Sequence, residues 1–287
     1  ARSAGARVVM QLHNYRLVCA IGIAYRDHAP CTRCQGRRTT PGARLRCRGN
    51  LPEALTYAAG IALHQPRMLA AVDRFVAMSE GSGRMLAELG LSLPEPDVIP
   101  NFLPDSAYAN GSAADSGQYA LYAGRLAEEK GVDTAIEAAR RSGVPLAIAG
   151  EGPDEPRLRR LAAEGGSYVR FLGRLDDAAL AEARTGAALA VAPSRWHEPH
   201  PYAVSEAMAA GLPVLASNIG GLVEMVGPAS TVAAGNAIDW ADALRRLWGD
   251  PELRRERGEQ ALARARERFG ADRYYERLMD CYRAAMS

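Results

Sequence analysis

From residue 119 onward, short apolar runs alternate with amphipathic stretches of helical period, and this alternation leaves few folds open to the chain. A strand buried on both faces reads as a continuous apolar run, and a helix laid over it shows a single apolar stripe. Strands are predicted at 119–123, 145–149, 168–172, 188–192, 213–217 and 230–233. Helices are predicted at 132–141, 155–164, 176–184 and 201–210, with a helical turn at 221–226. Such a rhythm predicts an α/β fold, a doubly wound parallel sheet of the Rossmann type with its ligand at the carboxyl ends of the strands.

The earlier part reads as about half of a second α/β domain. Strands are predicted at 8–12, 74–78 and 97–99, and helices at 51–71 and 80–89. The first apolar run comes so soon after Ala1 that a preceding segment is expected. Residues 105–117, rich in Ala, Ser, Gly, Asn and Asp, have linker composition. Two charged helices, 251–269 and 271–286, close the chain. The expected division is therefore a partial first domain over 1–104, a linker over 105–117, a ligand-binding domain over 118–269, and a last helix over 270–287 returning to the first domain.

Charge is unevenly spread. Residues 1–50 hold ten arginines (Arg2, Arg7, Arg16, Arg26, Arg33, Arg37, Arg38, Arg44, Arg46 and Arg48) against Asp27 alone, a net +9. The whole chain is +2, so the remainder carries −7. Two readings stand side by side: a face that meets an anionic lipid headgroup, lipid phosphate or acidic glycan, and a solvated arginine-rich loop. No nucleic-acid partner is expected. With no run of membrane-spanning length and no signal peptide, the expected location is the cytoplasm, with the basic segment offering peripheral contact at the inner face of the membrane.

Lysine usage singles out one loop. Among 35 basic residues Lys130 is the only lysine. A compact ammonium serves a purpose there that the planar guanidinium does not, unless its survival is chance. It ends Gly124-Arg125-Leu126-Ala127-Glu128-Glu129-Lys130-Gly131, between a predicted strand and helix. Gly124 leaves the backbone room, Arg125 offers a fork of donors, and Lys130 adds a point charge beside helix amides, a set suited to a diphosphate. A second constellation runs Trp196-His197-Glu198-Pro199-His200-Pro201-Tyr202-Ala203-Val204-Ser205-Glu206. Glu198 reaches a ligand from a loop, while Glu206 projects from a helix. A carboxylate that accepts two hydroxyls is the usual holder of a ribose. A merely solvated Glu206 fits poorly with its Ala-Met-Ala-Ala surroundings.

Gly-Arg-Leu-x-x-x-Lys-Gly followed by Glu-x7-Glu-Ala-Met-Ala-x-Gly-x-Pro-Val resembles the family-four retaining glycosyltransferases of GT-B fold, which have two Rossmann-like domains. Here the N-terminal one is expected to be incomplete. Pro100-Asn101, Gly150-Glu151-Gly152-Pro153, Phe171-Leu172-Gly173, Pro193-Ser194 and Ser217-Asn218-Ile219-Gly220-Gly221 support it in the same order. The resemblance implies transfer of a sugar from a nucleoside diphosphate sugar to a glycan or lipid-linked acceptor hydroxyl, with retention, in glycan, polysaccharide or glycolipid biosynthesis. It implies that Arg125 and Lys130 neutralise the departing diphosphate and that Glu206 binds ribose. Gly124, Gly150 and Gly152 belong to the donor site, and Phe171, Leu172 and Gly173 lie near the base. Glu198, with His200, Pro201, Tyr202 and Ala203 after it, meets the donor sugar and phosphate. His13 contacts the sugar near the reacting centre, with Asn14, Ser79 and Asn101 on the acceptor side; Ser79 also reads as a plain helix cap. His200-Pro201 stands where many members carry Phe-Gly, so the sugar stays open. No cofactor is implied for catalysis.

Four of the five cysteines, Cys19, Cys31, Cys34 and Cys47, fall in the arginine-rich segment. They read as a structural zinc site stapling a loop poor in apolar residues, or as four unrelated thiols. Two rivals to the transferase remain: a sugar-nucleotide epimerase or phosphorylase on the same fold, and a non-catalytic nucleotide-sugar-binding half.

Overall fold

The computed structural model describes residues 5–164 and 168–287. Arg2, counted above among the basic residues, lies outside them. The chain forms two compact units. One holds residues up to Asn101 together with Trp196–His200 and Asp272–Ser287; the other holds Phe102–Arg195 and Pro201–Ala271.

In the first unit β1 (Val9–Leu12) leads into an irregular arm. The arm carries a two-residue antiparallel pair, β2 (Tyr25–Arg26) and β3 (Ala29–Pro30), and a short α1 (Thr40–Arg44). Helix α2 (Leu51–Ala70) follows, started by the Asn50 side chain accepting from the Glu53 amide at 2.8 Å. Then come β4 (Arg74–Ala77), α3 (Glu80–Glu88) and β5 (Asp97–Val98), giving a parallel sheet of order β1-β4-β5. Its core joins Leu12, Tyr15, Phe75, Met85, Leu86 and Trp196. The last helix of the chain, Ala271–Met286, buries Cys281 against Val76, Met78 and Ile99. The Gln11 amide donates to the Tyr274 hydroxyl at 3.0 Å.

The second unit holds β6 (Ala120–Ala123), α4 (Val132–Ser142), β7 (Leu146–Ala149), α5 (Glu155–Ala163), β8 (Val169–Gly173), α6 (Asp177–Thr185) and β9 (Leu189–Ala192). After these come α7 (Tyr202–Ala209), β10 (Val214–Ser217), α8 (Leu222–Val226), β11 (Thr231–Val232), α9 (Ala237–Trp248) and α10 (Pro251–Phe269). Six parallel strands lie in the order β11-β10-β9-β6-β7-β8, with one apolar cluster on each face. The winding reverses between β6 and β9. Loops leaving these two strands diverge to opposite faces, and that divergence opens a crevice at their carboxyl ends.

Two features differ from the sequence expectation. Helix α9 was not predicted, although Trp240, Ala241, Leu244 and Leu247 recur at helical spacing and are buried; Asn236 caps it by accepting from the amides of Ile238 and Asp239. The 105–117 segment is not a free linker. The Ser112 amide donates to Glu259 at 2.8 Å, its hydroxyl donates to the Gly211 carbonyl at 2.7 Å, and the guanidinium of buried Arg254 donates to the Ala114 carbonyl at 2.8 Å. Small residues that read as linker composition here permit close approach: a Cβ on Gly258 would lie 2.1 Å from the Ser112 hydroxyl oxygen. Among the described residues no helix is long and apolar enough to cross a membrane.

Candidate functional site

The crevice of the second unit is built on glycines. Gly124 ends β6 with φ +151° and Gly150 ends β7 with φ +135°. A Cβ on Gly150 would stand 1.9 Å from the Gly124 carbonyl oxygen, and one on Gly152 would stand 2.1 Å from that of Leu126. A Cβ on Gly131 would meet the Pro193 carbonyl oxygen at 2.1 Å. Three strand-end loops therefore touch backbone to backbone, which no larger residue allows. Hydrogen bonds close the junction: the Gly124 amide donates to Ala149 at 3.0 Å, that of Leu126 to Glu151 at 2.8 Å, that of Gly150 to Gly173 at 2.7 Å and that of Arg195 to Glu129 at 2.8 Å.

On this junction Lys130 closes a single 3-10 turn, and Gly131, in left-handed conformation, starts α4 directly after it. Lys130 thus comes just before the amide end of a helix, where orphan N–H groups and the macrodipole favour anions. Arg125 is exposed, and its guanidinium donates to the buried carboxylate of Glu129. The Tyr122 hydroxyl donates to the Arg125 carbonyl at 2.9 Å. A further ion pair joins Arg195, in the loop after β9, to Asp133 in the first turn of α4 at 2.9 Å. Arg157 reaches the same carboxylate at 3.2 Å and Asp154 at 2.7 Å, so α4, α5 and the β9 loop share one charged network.

The Glu129 carboxylate is the fixed partner that orients Arg125. Glu129→Gln is expected to lower the stability of the chain by about 1–2 kcal/mol, the worth of a charge-assisted hydrogen bond with one partner exposed. A urea midpoint unchanged from wild type would show that the pair contributes nothing.

Glu206 lies in α7, which starts at the residue after Pro201, and its carboxylate accepts from Arg184 in α6. The pair is partly screened, with side chains 33% and 13% exposed respectively. Phe171 is covered by the Arg159 guanidinium 4.5 Å from its ring centre, while Leu172 packs against the core cluster on the other face. Pro201, Tyr202 and Ala203 open α7, with the Val204 amide donating to the Pro201 carbonyl at 3.1 Å.

The remaining candidates belong to the first unit. Glu198 and His200 are buried in the segment that groups with it. Trp196 meets Tyr15 edge-on, ring centres 6.2 Å apart, and the Tyr15 hydroxyl donates to the His197 carbonyl at 2.6 Å. Burial pushes the Tyr15 hydroxyl pKa well up, helped by the carboxylates of Glu198 and Glu88, so it stays a donor. Burial also lowers His197, against a smaller opposing pull from Glu88. His13 is exposed and shares a 3.3 Å contact with Gln11. Asn14 accepts from the Arg16 amide at 2.9 Å, as a turn residue does. Ser79 is a buried cap: the Ser82 amide donates to its hydroxyl at 3.1 Å, and its own amide donates to the Ser82 hydroxyl at 3.2 Å. Asn101 is buried at the end of the unit.

Sequence reasoning passed over Tyr15, Glu129, Asp133, Arg184 and Arg195. Of these only Glu129 carried a local signal, four residues after Arg125 and hence within pairing range on a helical turn. Among the described residues no group of three or more His, Cys, Asp or Glu is arranged to hold a metal ion, and the described cysteines are free thiols.

Comparison with known proteins places this geometry. The family model described as glycosyl transferases group 1 matches residues 109–264. An exopolysaccharide phosphotransferase of Streptomyces coelicolor is 33% identical over 219 residues, 70% of this chain and 22% of that protein. A D-inositol 3-phosphate glycosyltransferase of Nocardia farcinica is 31% identical over 265 residues, 83% of this chain and 57% of its own length. Thus the chain spans well under two thirds of either relative. In fold it is similar to Anabaena HepE, solved in complex with UDP, with a TM-score of 0.71 at 18% identity over 97% of this chain and 72% of that one.

Proposed function

The chain belongs to the glycosyl transferases group 1 family, and on that footing we propose that it transfers a sugar from a nucleoside diphosphate sugar to an acceptor hydroxyl with retention of configuration. The observation that carries the reading is the glycine-built junction at the reversal point of the sheet, which holds the chain's sole lysine at the head of α4. Breaking the anomeric bond pushes negative charge onto the diphosphate. Arg125, Lys130 and the α4 amides are aimed where that charge develops, so they favour the transition state over the bound donor. Glu206 takes the ribose hydroxyls, with Arg184 fixing its carboxylate. Glu198 and His13 serve the sugar, and Asn14, Ser79 and Asn101 the acceptor. The excess of nine positive charges in the first fifty residues supports an anionic acceptor, such as a lipid phosphate or an acidic glycan. The UDP in HepE supports a nucleoside diphosphate as the ligand to try first.

Thermal shift with a panel of nucleotides tests the donor site. At a hundredfold excess over Kd, one nucleoside diphosphate is expected to stabilise the chain by about 2.7 kcal/mol. The corresponding monophosphate is expected to do far less, and Glu206→Ala to abolish most of the gain. If no nucleoside diphosphate moves the transition, the donor-site assignment fails. If one binds but no donor sugar is turned over, the transferase reading fails and a binding role stands.

A further inference from the structure

The arm between β1 and α2 holds together with little regular structure. Its elements are two strands of two residues each and one helix of five. All the non-glycine residues with positive φ among the described residues fall within it: Ala24 at +48°, Asp27 at +53°, His28 at +64° and Arg46 at +50°. Left-handed backbone costs an L-residue roughly 1–2 kcal/mol, and it persists only where surrounding structure imposes it. Tyr15, Val18, Ala24 and Tyr25 tie the arm to the core of the unit, while among the described residues the only ladder between strands inside it is the two-residue β2–β3 pair.

Four thiols converge inside it. Cys19, Cys31, Cys34 and Cys47 line one cavity of ≈ 20 Å³, about the room of a single water. Cys34 lies within electrostatic reach of the other three. Backbone contacts anchor three of the four residues: the Cys19 amide donates to the Tyr15 carbonyl at 2.8 Å, that of Cys31 to Ala24 at 2.7 Å, and that of Cys47 to Gly42 at 3.0 Å. The Gly42 amide in turn donates to the Cys34 sulfur. Arg26 donates to the Cys47 sulfur at 3.5 Å. Two sulfurs thus already receive N–H donors of the kind that surround metal-bound thiolates.

We propose that Cys19, Cys31, Cys34 and Cys47 together bind one Zn²⁺ as a tetrathiolate site that cross-links the arm. On binding, each thiol releases its proton to solvent and forms one Zn–S bond of about 2.3 Å. Among the described residues no such group stands ready to hold a metal, so the proposal requires the four thiols to close on the ion. Four thiolates and one divalent cation sum to −2, and the arginine excess of the segment offsets that charge. The role is structural: with four protein ligands, zinc keeps no open position for chemistry.

Elemental analysis of the purified full chain tests the site. About one zinc per chain is expected, falling below about a tenth in Cys34→Ser and in Cys47→Ser, while Cys281→Ser retains it. Because those variants could fail to fold, a second measurement uses the wild-type chain. Exchange of zinc for Co²⁺ is expected to give the intense visible d–d bands of a tetrahedral tetrathiolate, at one cobalt per chain. Iron in place of zinc, or two disulfides found by intact mass, would overturn the proposal. So would zinc retained after all four cysteines are changed to serine.

Discussion

Replacing Lys130 by alanine is expected to lower kcat/KM by about 10²- to 10³-fold, the usual effect of removing one preorganised group from developing negative charge. The loss should fall mainly on kcat. A bound donor already carries a charged diphosphate, but the bridging oxygen gains charge only as the anomeric bond breaks, and Lys130 is placed to respond to that increment. Lys130→Arg should recover only part of the rate, since a planar fork cannot occupy the same point beside the α4 amides. Arg140→Ala supplies the control: this arginine is paired with Glu137 on α4, outside the crevice. Steady-state kinetics with the donor identified by thermal shift decides the matter. A Lys130→Ala enzyme within threefold of wild type would remove the ammonium from the mechanism.

A second large effect concerns stability. Gly150→Ala is expected to destabilise the second unit by about 2–5 kcal/mol, the sum of an overpacking term and a positive-φ term. The new Cβ would need to sit 1.9 Å from the Gly124 carbonyl oxygen, and that atom belongs to backbone, which cannot swing aside as a side chain does. For a unit of this size the melting temperature should fall by about 10 °C. Gly143→Ala makes the comparison. It too has positive φ, +74°, but a Cβ there meets no atom within 4 Å, so its cost should be the backbone term alone. Equal melting temperatures for the two variants would show that the strand-end loops are not locked together as described.

Much of the second unit was legible in the chain because its elements are locally consistent. The runs that became β6, β7 and β9 are short and wholly apolar, and α10 matches its predicted range to the residue, as does α11, the last helix, which groups with the first unit from Asp272 on. Helix α9 shows the limit of that reading: its period was present around Trp240, yet the paired aspartates and arginines broke up the apolar run. The 105–117 segment shows another. Small residues carry the same composition whether they swing in solvent or permit two backbones to touch, and Gly258 against Ser112 is the latter case.

The candidate site divides in the same way. Lys130 and Arg125 could be read from a strand–loop–helix pattern because the groups that present them are adjacent in sequence. Their supports could not. Arg184 lies 22 residues before Glu206 and Arg195 lies 62 after Asp133, distances at which no local period links two side chains. Trp196–His200 grouping with the first unit, through Tyr15, is likewise a long-range choice.

By itself, then, the sequence determined that an α/β sheet forms after residue 119, that one loop carries the only lysine, and that four cysteines crowd one basic segment. Local propensity and hydrophobic period suffice for these, since each depends on neighbours within a few turns of chain. Only the tertiary structure decided that β6 lies beside β9, that their loops part at that point, and that glycines let three loops close on one another. Strand order and loop contact are set by packing between segments far apart in the chain, so the loop that holds Lys130 became a site only when the sheet reversed its winding next to it.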